Sequence, residues 1–309
     1  MICIPKPGEA LSRSIDDYPD GIILPVDKPY RWTSADVIRK LKYAAIKHFG
    51  KKNLKVGHAG TLDPLATGVL LVCIGNACKR AQELQDHPKE YIATIRYGAT
   101  TPSYDLEKTV DRCFPFEHIT EESVRSVLPS FLGEQEQIAP LFSAKSVDGV
   151  RAYELARKLY RSGNTSAIDS AALETLHRSR ITISQLELLS FRDALQVDSQ
   201  ESVPPTAHEW EGPIACDGRD EDRRSEDSRE STCNASSRIN VADTSAMGLP
   251  EAVIRIACSK GTYIRAFARD LGEALESGAH LAGLVRSRSG SFRIEDALSL
   301  DQALSLLSL

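Results

Sequence analysis

The apolar and polar positions of this 309-residue chain alternate between two periods, and each predicts an element. Gly21 to Val26 (GIILPV) is a short apolar run of strand length that Asp27, Lys28 and Pro29 then break. A helix follows: Thr33 or Ser34 can cap it, and Val37, Ile38, Leu41, Ala45 and Phe49 recur at helical spacing with Lys40, Lys42 and Lys47 on the wetter face. VLLVCIG after Gly68 reads as a buried strand and Tyr91 to Tyr97 (YIATIRY) alternates as one, while Ile119 to Phe131 and Val150 to Tyr160 take the helical period. Strand patterning returns at Ile181 to Phe191 and Val253 to Cys258. Ile264, Phe267, Ala268, Leu271 and Leu275 then mark one face of a last helix. Strands and helices in mixed order, several strands alternating, predict an α+β fold: a mixed, largely antiparallel central sheet flanked by helices and loops, not a doubly wound one.

One stretch has neither period. Residues 198–250 are dominated by Ser, Asp, Glu and Arg, a composition that cannot bury enough apolar surface to offset its ordering entropy, so an acidic, disordered insertion between two strands is expected there. Composition changes the picture through this stretch. The whole chain carries 38 Lys and Arg against 43 Asp and Glu, a formal net charge of -5, which by itself argues against a polynucleotide partner. The insertion holds 12 acidic and 5 basic residues, so the remainder is mildly basic, at about +2. Residues 1–20 read as an acidic N-terminal tail with no apolar stretch of signal-peptide length, and the longest apolar run, Val69 to Ile74, is far too short to span a bilayer. A cytoplasmic protein is expected. Seven cysteines without a CxxC pair fit neither a disulfide framework nor a zinc site.

The candidate chemistry lies in GHAGTLDPLATG, residues 57–68. Pro64 biases Asp63 towards an extended backbone, and Gly57, Gly60 and Gly68 let main chain approach a ligand, which is the local design of a presented carboxylate. An Asp before Pro in such a loop is, on turn chemistry alone, more often a turn residue. His58 has no second ligand at helical or hairpin spacing, which favours a hydrogen-bonding role over metal.

GHAGTLDPLATG is similar, almost letter for letter, to the aspartate motif of the TruB family of tRNA pseudouridine synthases. Four further segments resemble that family in the same order: Asp27-Lys28-Pro29 with Thr33-Ser34; Lys89-Glu90-Tyr91-Ile92-Ala93; SKGTYIR at 259–265; and Gly278-Ala279-His280-Leu281 with Leu284, Arg286, Gly290 and Phe292. The resemblance implies the pseudouridine synthase fold over residues 21–309, interrupted by the insertion, and isomerisation of uridine 55 in the T-loop of tRNA to pseudouridine with the base flipped from its stack. It implies no cofactor and no metal, since an isomerisation gains and loses no atoms. It gives Asp63 as the catalytic carboxylate, Arg265 as its guanidinium partner and Tyr91 as a stacking ring. Tyr263 follows as a second tyrosine of the site, Leu284 as an apolar wall and His58 as a holder of the rearranged RNA loop. Lys28 and Arg286 are expected among substrate contacts, with Lys89 and Lys260 as backbone or structural contacts.

Three departures stand out. The family's glycine in the first element is Arg31 here. Its GxxTDTxD stretch is GATTPSYD at 98–105, with the first Asp replaced by Pro102, so no catalytic role is expected there. Many members carry a C-terminal PUA domain, whereas only 17 residues follow Phe292, so the catalytic domain alone is expected to hold the tRNA T-arm. No obligate protein partner is expected, and the chain reads as a monomer. Another class of function stays open, a tRNA-binding folding chaperone with or without modification. A ribose-directed hydrolase would call for a second catalytic carboxylate, and none stands out.

Overall fold

The structure is a computed structural model that describes residues 2–143, 145–147, 150–163, 168, 170–172, 176, 178–194, 239 and 241–308. Its strands are β1 (Ile22–Lys28), β2 (Val56–Ala59), β3 (Ala66–Ile74), β4 (Lys89–Tyr97), β5 (Ala99–Thr100), β6 (Arg112–Cys113), β7 (Gly133–Gln137), β8 (Ser146–Val147), β9 (Val150–Arg151), β10 (Ser179–Arg192), β11 (Glu251–Cys258), β12 (Ala279–Ser289) and β13 (Phe292–Arg293). The main sheet runs β1-β3-β12-β4-β11-β10-β7, with β2 added to β3 and β13 to β12. Its pairs are antiparallel except β12 with β3, so the sheet is mixed and largely antiparallel, as the patterning predicts.

The burial of each strand follows from its spelling. In β4 (KEYIATIRY) every second residue is buried, from Lys89 through Tyr91, Ala93 and Ile95 to Tyr97. β3 is buried on both faces: Leu70, Val72 and Ile74 join the main core, and Val69, Leu71 and Cys73 join a second cluster beneath it. A continuous apolar run is what such a doubly covered strand requires. The helix Ser34–Phe49 starts on a capping box between Thr33 and Asp36, lays Val37, Leu41, Ala45 and Phe49 into the core, and ends at Gly50 in the left-handed conformation. The expected helix over 119–131 is a short α-helix, Glu121–Val127, continued as 3-10 over Leu128–Phe131, where Pro129 intervenes. Ile264–Ala274 is helical as predicted, the helix expected over 150–160 runs Ala152–Arg161 after the short strand Val150–Arg151, and among the described residues no helix is long and apolar enough to cross a membrane.

Two expectations of organisation fall on folded residues. Residues 2–20, expected as an N-terminal tail, pack on the folded body: Cys3 bridges to Ile22 of β1, and Leu11 and Ile15 are buried in the core. Acidic neighbours mask these few apolar anchors in the sequence. At the far end of the expected insertion, residues 241–250 belong to the folded body. Ala242 N–H donates to the Leu106 carbonyl at 2.8 Å, Thr244 is buried and Leu249 is in the core. The rest of that insertion, apart from Ile239, lies outside the described residues.

Candidate active site

The loop from Gly60 to Leu65 joins β2 to β3 and is held from three sides. Ser34, the first residue of its helix, accepts from Leu62 N–H at 2.9 Å and donates to the Leu62 carbonyl at 3.0 Å. Lys28, fully buried at the end of β1, donates its three ammonium hydrogens to the carbonyls of Pro29, Trp32 and Pro64 at 2.9, 2.6 and 3.1 Å. Arg286, 1% exposed on β12, donates Nε to the Val69 carbonyl at 2.7 Å and its two terminal nitrogens to Thr61 and Gly60 at 3.3 and 3.1 Å. Gly68 lets β12 come this close: its φ is 100°, and a Cβ there would meet the Arg286 carbonyl at 2.3 Å.

Lys28 and Arg286, expected among substrate contacts, lie beneath the Asp63 loop and brace it. A charge buried without hydrogen bonds is costly, and here Lys28 and Arg286 each place three bonds on main-chain carbonyls, so both cations brace the loop. Burial pulls the Lys28 ammonium down to about 8, opposed by Asp63 and Asp27. Lys89 is likewise buried on carbonyls of Gln85 and His87, and Lys260 pairs with Asp86 at 2.8 Å.

Between these supports the loop presents Asp63. Arg265, in the first turn of Ile264–Ala274, grips it with two parallel bonds, Nε to Oδ2 at 2.9 Å and Nη2 to Oδ1 at 3.1 Å. The two ends differ: the Arg265 side chain is 6% exposed and the Asp63 side chain 37%. Arg265 is anchored further by carbonyls of Ser103 and Phe142 at 3.1 and 2.9 Å. Burial alone would lower its pKa, but Asp63, Asp105 and Glu107 outweigh it and hold the guanidinium above its usual value. A buried, fully charged fork thus orients a carboxylate whose other side faces a cleft lined by Leu65, Asp105, Leu281 and Leu284.

Asp105 is the residue that sequence reasoning missed. It lies in the stretch set aside for having lost an aspartate to Pro102, yet it is the stretch's surviving last Asp. Its Oδ2 sits 3.6 Å from Arg265 Nε, and its Oδ1 accepts from Ser103 Oγ at 2.6 Å and Glu107 N–H at 2.9 Å. Burial raises its pKa, with Arg265 opposing. Glu107 is pushed up to about 7, by burial first and by Asp105 second. The folded chain therefore binds a proton here that the unfolded chain, near 4.5, releases, so this contribution to stability is full below pH 4.5 and lost as pH rises through 7. For Glu107→Gln, denaturation titrations should show the variant gaining on the wild type by about 2 kcal/mol between pH 5 and 8. Parallel curves would show that Glu107 titrates normally.

Tyr91 is buried on β4, in register with Arg286 of β12; burial raises its phenol and Arg286 opposes. Tyr263 precedes the Arg265 helix, and Gln137 holds both its backbone groups, accepting from its N–H at 2.8 Å and donating to its carbonyl at 3.1 Å. Leu284 lines the cleft from β12, opposite Ala66 of β3 and Ala93 of β4. His58 on β2 is kept below its usual pKa by burial and then by Arg286, and its Nδ1 has no hydrogen-bond partner among the described residues. The site thus brings together Asp63, Arg265 and Leu284 around one cleft, and Arg286 joins Tyr91 to the floor of the Asp63 loop.

The architecture matches solved structures. A chain in the structure of an H/ACA ribonucleoprotein bound to a substrate RNA containing 2'-deoxyuridine superposes with a TM-score of 0.51 at 20% identity, covering 93% of this chain and 53% of its own. A chain of a Cbf5-Nop10-Gar1 complex gives 0.54 at 20%, covering 97% and 57%. This is the pseudouridine synthase fold, and the chain spans about half the length of those neighbours. Residues 46–203 match the profile of the TruB family pseudouridylate synthase, N terminal domain. The tRNA pseudouridine synthase B of Phocaeicola vulgatus is 44% identical over 92% of both chains, that of Bacteroides fragilis 43% over 91% of this chain and 92% of its own, and that of Deinococcus deserti 35% over 90% and 77%. The chain belongs to the TruB family and is a pseudouridine synthase, an isomerase.

Proposed function

We propose that this enzyme converts uridine 55 in the T-loop of tRNA to pseudouridine, with Asp63 as the catalytic carboxylate. The observation that carries the reading is the bidentate Asp63–Arg265 pair, one end buried and the other open to the cleft. The relatives named as tRNA pseudouridine synthase B align over nine-tenths of the chain and supply the substrate class. The reaction breaks the N1–C1′ bond of the nucleoside, turns the uracil and forms a C5–C1′ bond; the proton leaving C5 is balanced by one gained at N1. A carboxylate can serve as nucleophile or proton acceptor in this sequence, and a fixed guanidinium keeps it aimed. A looped-out uracil reaches Asp63 by leaving its stack, a cost of a few kcal/mol that stacking in the pocket offsets. Tyr91 is the ring proposed for that stacking and Leu284 the apolar wall. Tyr263 borders the site, and His58 contacts the displaced RNA loop.

Incubation of the chain with an unmodified tRNA transcript, followed by chemical mapping of pseudouridine, tests the reading. Conversion confined to position 55 is expected. Binding without conversion would favour the chaperone role, and conversion at another uridine would overturn the assigned position.

A further inference from the structure

Arg31 occupies a backbone conformation that side chains avoid. Its φ is 62°, in the left-handed region, at the position where the family element has glycine. The side chain has a specific use that glycine could not supply: Nη2 donates to the Ile239 carbonyl at 2.6 Å. Three residues on, Ala242 N–H donates to the Leu106 carbonyl at 2.8 Å, and Thr244 Oγ1 accepts from Arg96 of β4 at 2.8 Å. The end of the insertion is therefore tied to the turn after β1 at one point and to the 103–107 loop at another.

Those two anchors flank the Asp63–Arg265 pair. The turn after β1 supplies the Pro29 and Trp32 carbonyls that share Lys28 with Pro64, the neighbour of Asp63. The 103–107 loop supplies the Ser103 carbonyl and the Asp105 carboxylate that hold Arg265. We propose that Arg31 is a positioning residue: through Ile239 and Ala242 it links the loop support beneath Asp63 to the loop behind Arg265 and keeps the pair in register for reaction. This rests on the reading of Asp63 as the catalytic carboxylate.

Arg31→Gly suits a φ of 62° and removes only the tie, so the fold should survive. In the full chain, hydrogen exchange at the Ala242 amide should speed by at least about tenfold, kcat on unmodified tRNA should fall about five- to tenfold, and KM should stay within about twofold. Arg31→Lys, which keeps a donor, should recover part of kcat. Ala242→Pro removes the donor at the other anchor and should cost a similar factor. Because both changes cut one tie, the double variant should be no slower than the slower single. Unchanged Ala242 exchange in Arg31→Gly, faster exchange with wild-type kcat, or multiplying losses in the double variant would each overturn the proposal. A wild-type chain that converts no tRNA would instead sink the functional reading, and the exchange result would still report on the tie.

Discussion

Asp63→Asn should lose at least about 10³-fold in single-turnover rate on tRNA while binding that tRNA within about threefold of wild type. The substitution is isosteric and keeps an oxygen to accept from Arg265, so the fork of 2.9 and 3.1 Å loses one bond and a charge, not its place. The loop survives because its supports do not involve the Asp63 side chain: Ser34 holds Leu62, Lys28 holds Pro64, and Arg286 holds Gly60 and Thr61. RNA affinity comes mainly from cations on phosphates, which the substitution leaves alone. What disappears is the carboxylate proposed to act on the nucleoside. Asp63→Glu should be nearly as inactive, since an extra methylene on a loop fixed at both ends displaces that oxygen by about 1 Å or more, enough to forfeit a near-attack geometry. Retention of more than about a tenth of wild-type turnover by Asp63→Asn would end the case for this carboxylate.

How much of this site could be read from the chain depends on what each residue's neighbours hide. β4 and the helix after Thr33 were legible because their apolar residues keep one period from end to end, and β3 because its apolar run is unbroken from Val69 to Ile74. β12 was not, although it lies at the centre of the sheet, because His280, Arg286 and Ser289 occupy buried positions and break the alternation. Each is buried only because a partner elsewhere in the chain meets it, as Ala99 O meets His280 Nδ1 at 2.8 Å, and such pairings leave no local trace. The same blindness explains Lys28 and Arg286: a sequence reports a cation, but not whether carbonyls have claimed its donors. Asp63 and Arg265, 202 positions apart, were joined by motif resemblance, and the structure shows the fork itself. Asp105 shows the opposite failure, a functional neighbour passed over because Pro102 spoiled the segment around it.

Removing Arg265 should be the second severe change, and its pH dependence separates a structural cation from one that governs carboxylates. Arg265→Met takes a donor fork from between Asp63, Asp105 and the carbonyls of Ser103 and Phe142. Breaking a buried ion pair from one side typically costs about 3–5 kcal/mol, because the charge left behind has neither water nor partner. Turnover should fall by about 10³-fold or more, since Asp63 loses the group that aims it. Arg265→Lys should recover part of the stability and little of the rate, because an ammonium cannot reproduce two parallel bonds. The stability loss itself should vary with pH. Burial already raises the Asp105 carboxyl and Arg265 opposes that rise, so the variant lifts this group further above its unfolded value. A group raised in this way contributes stability at low pH that is lost as pH climbs through its folded pKa. Chemical denaturation of Arg265→Met should therefore show a smaller deficit against wild type at pH 5 than at pH 8. A deficit of the same size at both would mean that Arg265 acts by packing and main-chain hydrogen bonds, and that the two aspartates do not depend on its charge.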